Sequence, residues 1–338
     1  MPLAITGTGA VTPAGWGAAV LLETLRSGID LPTSPLERAL ADDCLITQVK
    51  RVPNDSSGIP KAARLRRTSP ISKFAAAAAI EALGTERLEM SLAGRLRVGV
   101  ILTLTNGCVN YSNRFFAEVL ANPAVASPIL FPETVFNAPS SHLSAIIGSA
   151  SPNDTLIGDS TGFITGLDLA AEWLERGDVD GCLVVAAEEI DWLSAEALCL
   201  YSGSLIPAEG AAAVYVEAAD GRVRIRRIPD PLPYQAIDRE TAARVLRQRL
   251  AATDDGTTLL LDSTCGVARF DQPETSAWHD WTGPRWSPKR QLGDLLGAAT
   301  GIQIVAAAMA LQHGLAPSAV VSSIGSNQQA AGVVLGQK

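Results

Sequence analysis

Leu3-Ala4-Ile5-Thr6-Gly7-Thr8-Gly9, followed by a helical pattern over 16–26 and then Gly28, decides the fold class. Residues 3–5 read as a short buried strand, the glycines as a turn, and 16–26 as an amphipathic helix closed by a C-cap glycine. Working outward, 97–103 is an unbroken apolar run, the pattern of a strand buried on both faces in a parallel sheet. Strands at 155–157 and 181–187 flank a helix at 161–175 that stops at Gly177, which makes a β-α-β unit. An alanine helix over 72–83 ends at Gly84, and 27–60 is loop-rich. Past residue 208, a strand at 211–217 is turned by Asp220-Gly221 into 222–228, and the simplest reading is a hairpin with one wet face. A helix at 239–251, a strand at 257–261, a helix at 295–311 and strands at 318–323 and 331–335 complete the chain. Strands and helices follow a similar order in 1–208 and 209–338, with no Gly/Ser or Pro linker between them. The expectation is an α/β protein of two halves sharing one core.

Composition narrows the function. The 338 residues carry 27 Lys+Arg against 35 Asp+Glu, a net charge of −8 that repels a nucleic-acid backbone. No apolar run reaches ~18 residues without Gly, Pro or a charge, and residues 1–7 lack a basic-then-apolar signal, so the expectation is a cytoplasmic, uncleaved protein. Five scattered cysteines (Cys44, Cys108, Cys182, Cys199, Cys265) with no C-x-x-C pair and three distant histidines (His142, His279, His313) support neither a disulfide framework nor a metal site. A dinucleotide loop would need glycine at Thr12 and an acidic ribose partner, and neither is evident.

Another set of motifs accounts for more of the chain. Thr6, Gly7, Gly9, Thr12 and Gly15 fit T-G-x-G-x-x-(S/T)-x-x-G; 130–143 holds Pro132, Asn137 and Ser141-His142; 208–211 reads Ala-Glu-Gly-Ala; and Ser287-Pro288-Lys289 precedes Gly293-Asp294-Leu295-Leu296-Gly297-Ala298-Ala299. In this order the motifs resemble those of the β-ketoacyl synthases, condensing enzymes with a thiolase-like duplicated α-β-α-β-α fold. That family uses a cysteine at a helix start, a histidine in H-G-T-x-T and a histidine in G-H-x-x-G-A-A. The resemblance places Ser160, Ser263 and Asp294 at those positions, keeps the family's lysine as Lys289, and keeps the later acids of the second motif as Asp271 and Glu274. The gate loop near the C-terminus, G-F-G-G in the family, becomes Ile324, Gly325 and Ser326, followed by Asn327, without the phenylalanine. The chain is also short between Glu189 and Glu209 and between Arg227 and Leu260, where condensing enzymes carry longer segments.

Losing the thiol and both imidazoles removes the nucleophile and the groups that assist decarboxylation and hold the thioester oxygen, each such group typically being worth ~10² or more in rate. The leading expectation is therefore a non-catalytic, chain-length-factor-like subunit. It would pair with an active β-ketoacyl-ACP synthase in fatty acid or polyketide/polyene chain elongation, with no cofactor of its own and acyl groups arriving on the phosphopantetheine of an acyl carrier protein. Lys61, Arg64, Arg66, Arg67 and Lys73 form a basic cluster suited to an acidic carrier, with a solvated helix start as the plainer reading. The alternative is a Ser160-dependent acyltransferase or hydrolase acting on acyl thioesters, with Asp294 or a histidine not placed by the motifs as base and helix-N-terminal amides as oxyanion donors; Asp294 is better placed than the adjacent Asp159, although it also suits a helix N-cap. A structural homodimer with no acyl role is the third reading. Glu188 and Glu189 are expected at the solvent end of their strand.

Overall fold

A computed structural model describes residues 2–39, 44–55, 58–235, 237–251 and 254–338. The opening strand is longer than its apolar stretch, Leu3–Thr12, because both glycines lie inside it. They are there for contact: a Cβ on Gly7 would sit 1.7 Å from the Ala82 carbonyl oxygen, and one on Gly9 2.0 Å from that of Ala78. The alanine-rich helix Pro70–Leu92 thus lies backbone to backbone on the strand. Its alanine-rich part ends at Gly84 as expected, where the backbone is non-helical and kinks before a second helical stretch that runs to Leu92; the first helix is Ala18–Ser27, since Trp16 belongs to the short strand Gly15–Trp16.

One sheet runs through the molecule in the order Arg285–Trp286, Leu259–Leu261, Ser318–Ile324, Gln329–Gln337, Val223–Arg227, Leu3–Thr12, Gly210–Glu217, Gly181–Glu188, Val98–Leu104, Asn153–Ile157. Numbering strands within each set of five, both sets have the order 3-2-4-5-1, with parallel pairs at the outer end and antiparallel pairs inward. The expected hairpin of 211–217 with 222–228 does not form. Leu3–Thr12 inserts between those strands and pairs with both, and Gly210–Glu217 completes the first set. The loop-rich reading of 27–60 is corrected too: Ser34–Ala39 and Cys44–Val49 form an antiparallel pair.

Side chains alternate between the faces of the sheet with the period of 2 that strands impose. Val184, Ala186, Val214, Val321, Val333 and Leu335 meet the helices Gly162–Arg176 and Ala299–Gln312 in the central core. Val98, Val100, Leu102, Val185, Ala213 and Tyr215 face Pro70–Leu92 and Ala138–Ile147 on one outer side. Leu260, Val320 and Ala330 face Arg239–Leu250 and the end of Ala268–Ala277 on the other. Every residue of 299–311 is buried, as befits a helix apolar all round and enclosed by both sets of strands. The layering is α-β-α-β-α around one core. Among the described residues no helix is long and apolar enough to cross a membrane.

Candidate functional site

The strand Asn153–Ile157 runs through Gly158, Asp159 and Ser160 into the helix Gly162–Arg176, so Ser160 sits buried at a strand-to-helix turn. Asp159 is turned away from it: Oδ1 accepts from Thr161 N at 3.0 Å and Thr161 Oγ1 at 2.6 Å, and Oδ2 from Gln328 N at 3.2 Å. Ser160 Oγ meets Ser323 Oγ at 3.4 Å, which meets Thr300 Oγ1 at 2.8 Å. This is a chain of hydroxyls.

Ser263 follows the short strand Leu259–Leu261 and is fixed by Glu274, which accepts from Ser263 N at 2.9 Å and Ser263 Oγ at 2.6 Å. Glu274 also accepts from Ser322 Oγ at 2.5 Å, and burial, with Asp262 nearby, pushes its carboxyl up to about 7. Asp271, on the same helix, accepts from Cys265 N, Gly266 N and Arg290. Asp294 Oδ1 takes the Leu296 N–H at 3.0 Å, tying down the turn that leads into Ala299–Gln312, and Oδ2 accepts from Lys289 Nζ at 3.3 Å. Burial opposes the Lys289 charge, but the Asp294 carboxylate together with Cys265 outweighs it and holds the ammonium above its usual range.

These residues converge. A cavity of about 290 Å³ is lined by Ser160, Ser263, Asp294, Lys289, Ile324 and Ser326. Ile324 N donates to Ser263 Oγ at 3.0 Å; Gly325 lies in the wall behind, where a Cβ would meet Asp159 Oδ2 at 2.1 Å. Arg239 also lines the cavity, although nothing in its local sequence marks it. Cys265, the thiol on the wall, is pushed up to about 11 mainly by burial. His142 is bound by Glu133 at 2.8 Å, His279 and His313 are exposed, and none of the three lines the cavity. The basic cluster lies elsewhere. Lys61, Arg64, Arg66 and Arg67 are exposed around the turn Ala63–Arg67, which Leu65 anchors in the core, and they make no ion pair among the described residues.

Glu188 and Glu189 are not at a solvent end: both are fully buried. Glu188 accepts the N–H groups of Thr105 and Asn106, and Glu189 accepts from Ser69 Oγ, Ile71 N and Asn110 N. Backbone donors that the folding chain strands beside the strand end are what bring these carboxylates inside. Burial pushes the Glu188 carboxyl up to about 8 against those hydrogen bonds, and Thr105 and Asn106 line the cavity.

A duplicated five-layer α-β-α-β-α core with a buried strand-to-helix turn defines the thiolase-like fold. The profile described as the beta-ketoacyl synthase N-terminal domain matches residues 1–224, and the chain belongs to that family. No curated protein matches the sequence. Solved structures with the same fold include the ishigamide ketosynthase/chain length factor, with a TM-score of 0.83 and 19% identity over 100% of this chain and 99% of that one. A second is the ketosynthase ApeO in complex with its chain length factor ApeC from Xenorhabdus doucetiae, at 0.84 and 12% over 100% and 98%. A third is the AntDE:AntF complex of a type II acyl carrier protein with its ketosynthase bound to the hexaketide, at 0.79 and 14% over 100% and 99%.

Proposed function

We propose that the chain is a non-catalytic, chain-length-factor-like subunit that pairs with an active β-ketoacyl-ACP synthase in polyketide, polyene or fatty acid chain elongation, where a carrier protein brings the acyl groups. The observation that carries this reading is the hydroxyl chain Ser160–Ser323–Thr300 at the nucleophile position. An alcohol becomes a nucleophile only when a base takes its proton. The cavity's carboxylates are engaged elsewhere: Asp159 with Thr161 and Gln328, Asp271 with Arg290, Asp294 with Lys289. The acyl-Ser160 alternative needs a base within about 2.6–3.2 Å of the hydroxyl, and the partner Ser160 has instead is Ser323.

Surface features support a protein partner. Asn153–Ile157 is the edge strand of its half and, among the described residues, pairs only with Val98–Leu104. The helix Val109–Ala121 and the segment packed on it leave Phe116, Leu120, Val125, Ile129 and Phe131 exposed, an apolar surface that a partner would cover. Two of the similar structures contain a ketosynthase together with a chain length factor. The exposed Lys61, Arg64, Arg66 and Arg67 suit the acidic surface of a carrier.

The test is native mass spectrometry of the tagged chain purified from its own host at endogenous expression. A one-to-one complex with a ketosynthase that keeps its Cys-His-His set is the expected result; it should be lost in Phe116→Glu with Leu120→Glu and kept, with product formation, in Ser160→Ala. A homodimer alone, or an acyl group on Ser160 with activity abolished by Ser160→Ala, would overturn the reading.

A further inference from the structure

The strand Cys44–Val49 pairs on one side with Ser34–Ala39 and, among the described residues, with no strand on the other. Its register fixes which residues face the open side. In an antiparallel pair the N–H and C=O of one residue point the same way, and successive residues alternate. Lys50, next in line, faces outward: its N–H donates to Pro207 O at 2.9 Å and its carbonyl accepts from Glu209 N at 3.3 Å, a parallel bridge centred on Ala208. By that alternation Gln48 and Ile46 also turn their backbone groups outward, and no strand meets them there among the described residues.

The lane beside Gln48 and Ile46 is open because the chain before Pro207 leaves it. Ile206 O accepts from Asp294 N at 2.7 Å, and Leu205 N donates to Ser202 O at 3.1 Å in the turn that follows the helix Trp192–Tyr201. Between strand and helix lies a groove of about 610 Å³, with Ile46 and Gln48 on one wall and Leu193, Leu200 and Ile206 on the other. Ile46, Leu193 and Leu200 are 56%, 49% and 89% exposed. The acid in the groove wall, Glu196, is already paired with Arg38 at 2.7 Å, and the Arg38 guanidinium lies 3.6 Å from the centre of the Trp192 ring. What the groove offers is therefore a strand edge on one side and aliphatic side chains on the other.

We infer that this groove is a docking site for an extended, aliphatic peptide segment of a protein partner, which adds as a strand to the outer edge of Cys44–Val49. Main-chain hydrogen bonds to Gln48 and Ile46 would supply affinity, and side chains at alternate positions packing on Leu193 and Leu200 would supply selectivity. A purely apolar ligand satisfies the aliphatic wall but leaves the N–H and C=O groups of the strand edge unpaired, whereas a polypeptide strand satisfies both. The bridge from Lys50 to Pro207 and Glu209 already shows strand pairing on this edge, and the incoming segment extends it along the same line. The inference does not rest on the pairing role and uses none of the residues assigned to ketosynthase contact.

The test is to pan a random seven-residue peptide library on phage against the full chain, then resynthesise the enriched sequences and measure their binding by fluorescence anisotropy. Enriched peptides are expected to carry aliphatic residues at alternate positions. Gln48→Pro removes an outward N–H without touching the pairing to Ser34–Ala39 and should weaken binding about tenfold or more, whereas Gln48→Ala keeps that N–H and should bind within about twofold of wild type. Leu200→Asp, at an exposed position, should weaken binding about fivefold. Two versions of the best peptide, N-methylated at its odd or at its even residues, read the same contact on wild-type protein: one should lose binding and the other keep it, because a strand pairs along one edge. No enrichment of alternating sequences, equal binding by Gln48→Pro and wild type, or full binding by both N-methylated peptides would overturn the inference. A wild-type dimer in sedimentation that Gln48→Pro turns into a monomer would overturn it too, by assigning the groove to a second copy of this chain.

Discussion

Replacing Glu188 by glutamine should change how stability depends on pH, and the structure fixes both the sign and the scale. The wild-type carboxyl is fully buried and raised from 4.5 to about 8, with burial the dominant cause. A group whose folded pKa lies above its unfolded value contributes stability that is present in full below the unfolded pKa and is lost as pH rises through the folded one. The window therefore runs from about pH 4.5 to about pH 8. A shift of this size corresponds to roughly 4–5 kcal/mol, at ~1.4 kcal/mol per pKa unit, between its two ends. Glutamine cannot titrate, and its amide nitrogen would face the Thr105 or Asn106 N–H that the carboxylate now accepts, a fixed loss of about 1–3 kcal/mol. Urea unfolding followed by tryptophan fluorescence at pH 5 and pH 9 should show wild type the more stable at pH 5 and the variant gaining on it, or overtaking it, at pH 9. Glu274 titrates in both proteins and cancels in the difference. A wild-type-minus-variant stability that is the same at both pH values would refute the assignment of a buried, proton-holding Glu188.

Two further outcomes follow from the geometry. Glu274→Ala strands the Ser263 N–H and the hydroxyls of Ser263 and Ser322. It should cost about 3–5 kcal/mol in urea unfolding at pH 6, counting the immobile N–H in full and the rotatable hydroxyls at the low end, whereas Glu274→Gln should cost ~1 kcal/mol or less. Gly9→Ala pushes a methyl to 2.0 Å from the Ala78 carbonyl oxygen; thermal unfolding should report a loss of about 3 kcal/mol or more, since overpacking costs ~1–3 kcal/mol even where side chains can yield and here backbone meets backbone.

Where one physical signal dominated, the sequence was readable. The apolar runs became the buried strands Val98–Leu104 and Gly181–Glu188, and Gly177 capped the helix Gly162–Arg176 as its position implied. Motif order, which carries information that periodicity lacks, singled out Ser160, Ser263, Asp294 and Lys289, and the structure brings all four to the wall of one cavity. The misses arose where long-range pairing outweighed local pattern. Nothing between 211 and 228 shows that a strand from the start of the chain divides the apparent hairpin. Trp192–Tyr201 has almost no amphipathic rhythm, and Ala268–Ala277 contains Pro273, so neither helix announced itself. Glu188 and Glu189 looked like solvent markers because their acceptor role depends on N–H groups about 80 residues away along the chain. Arg239 belongs to the cavity only through tertiary structure.

The placement of Leu3–Thr12 at the centre of the sheet has a kinetic consequence. The strand Leu3–Thr12 finds its two neighbours only after about 200 further residues have been made, in Gly210–Glu217 and Val223–Arg227. Until then the backbone N–H and C=O groups along its edges lack those partners, and an unpaired strand edge of this kind is exposed to aggregation. Once closed, the same strand seals both sets of five at a single seam, so the two halves should unfold together.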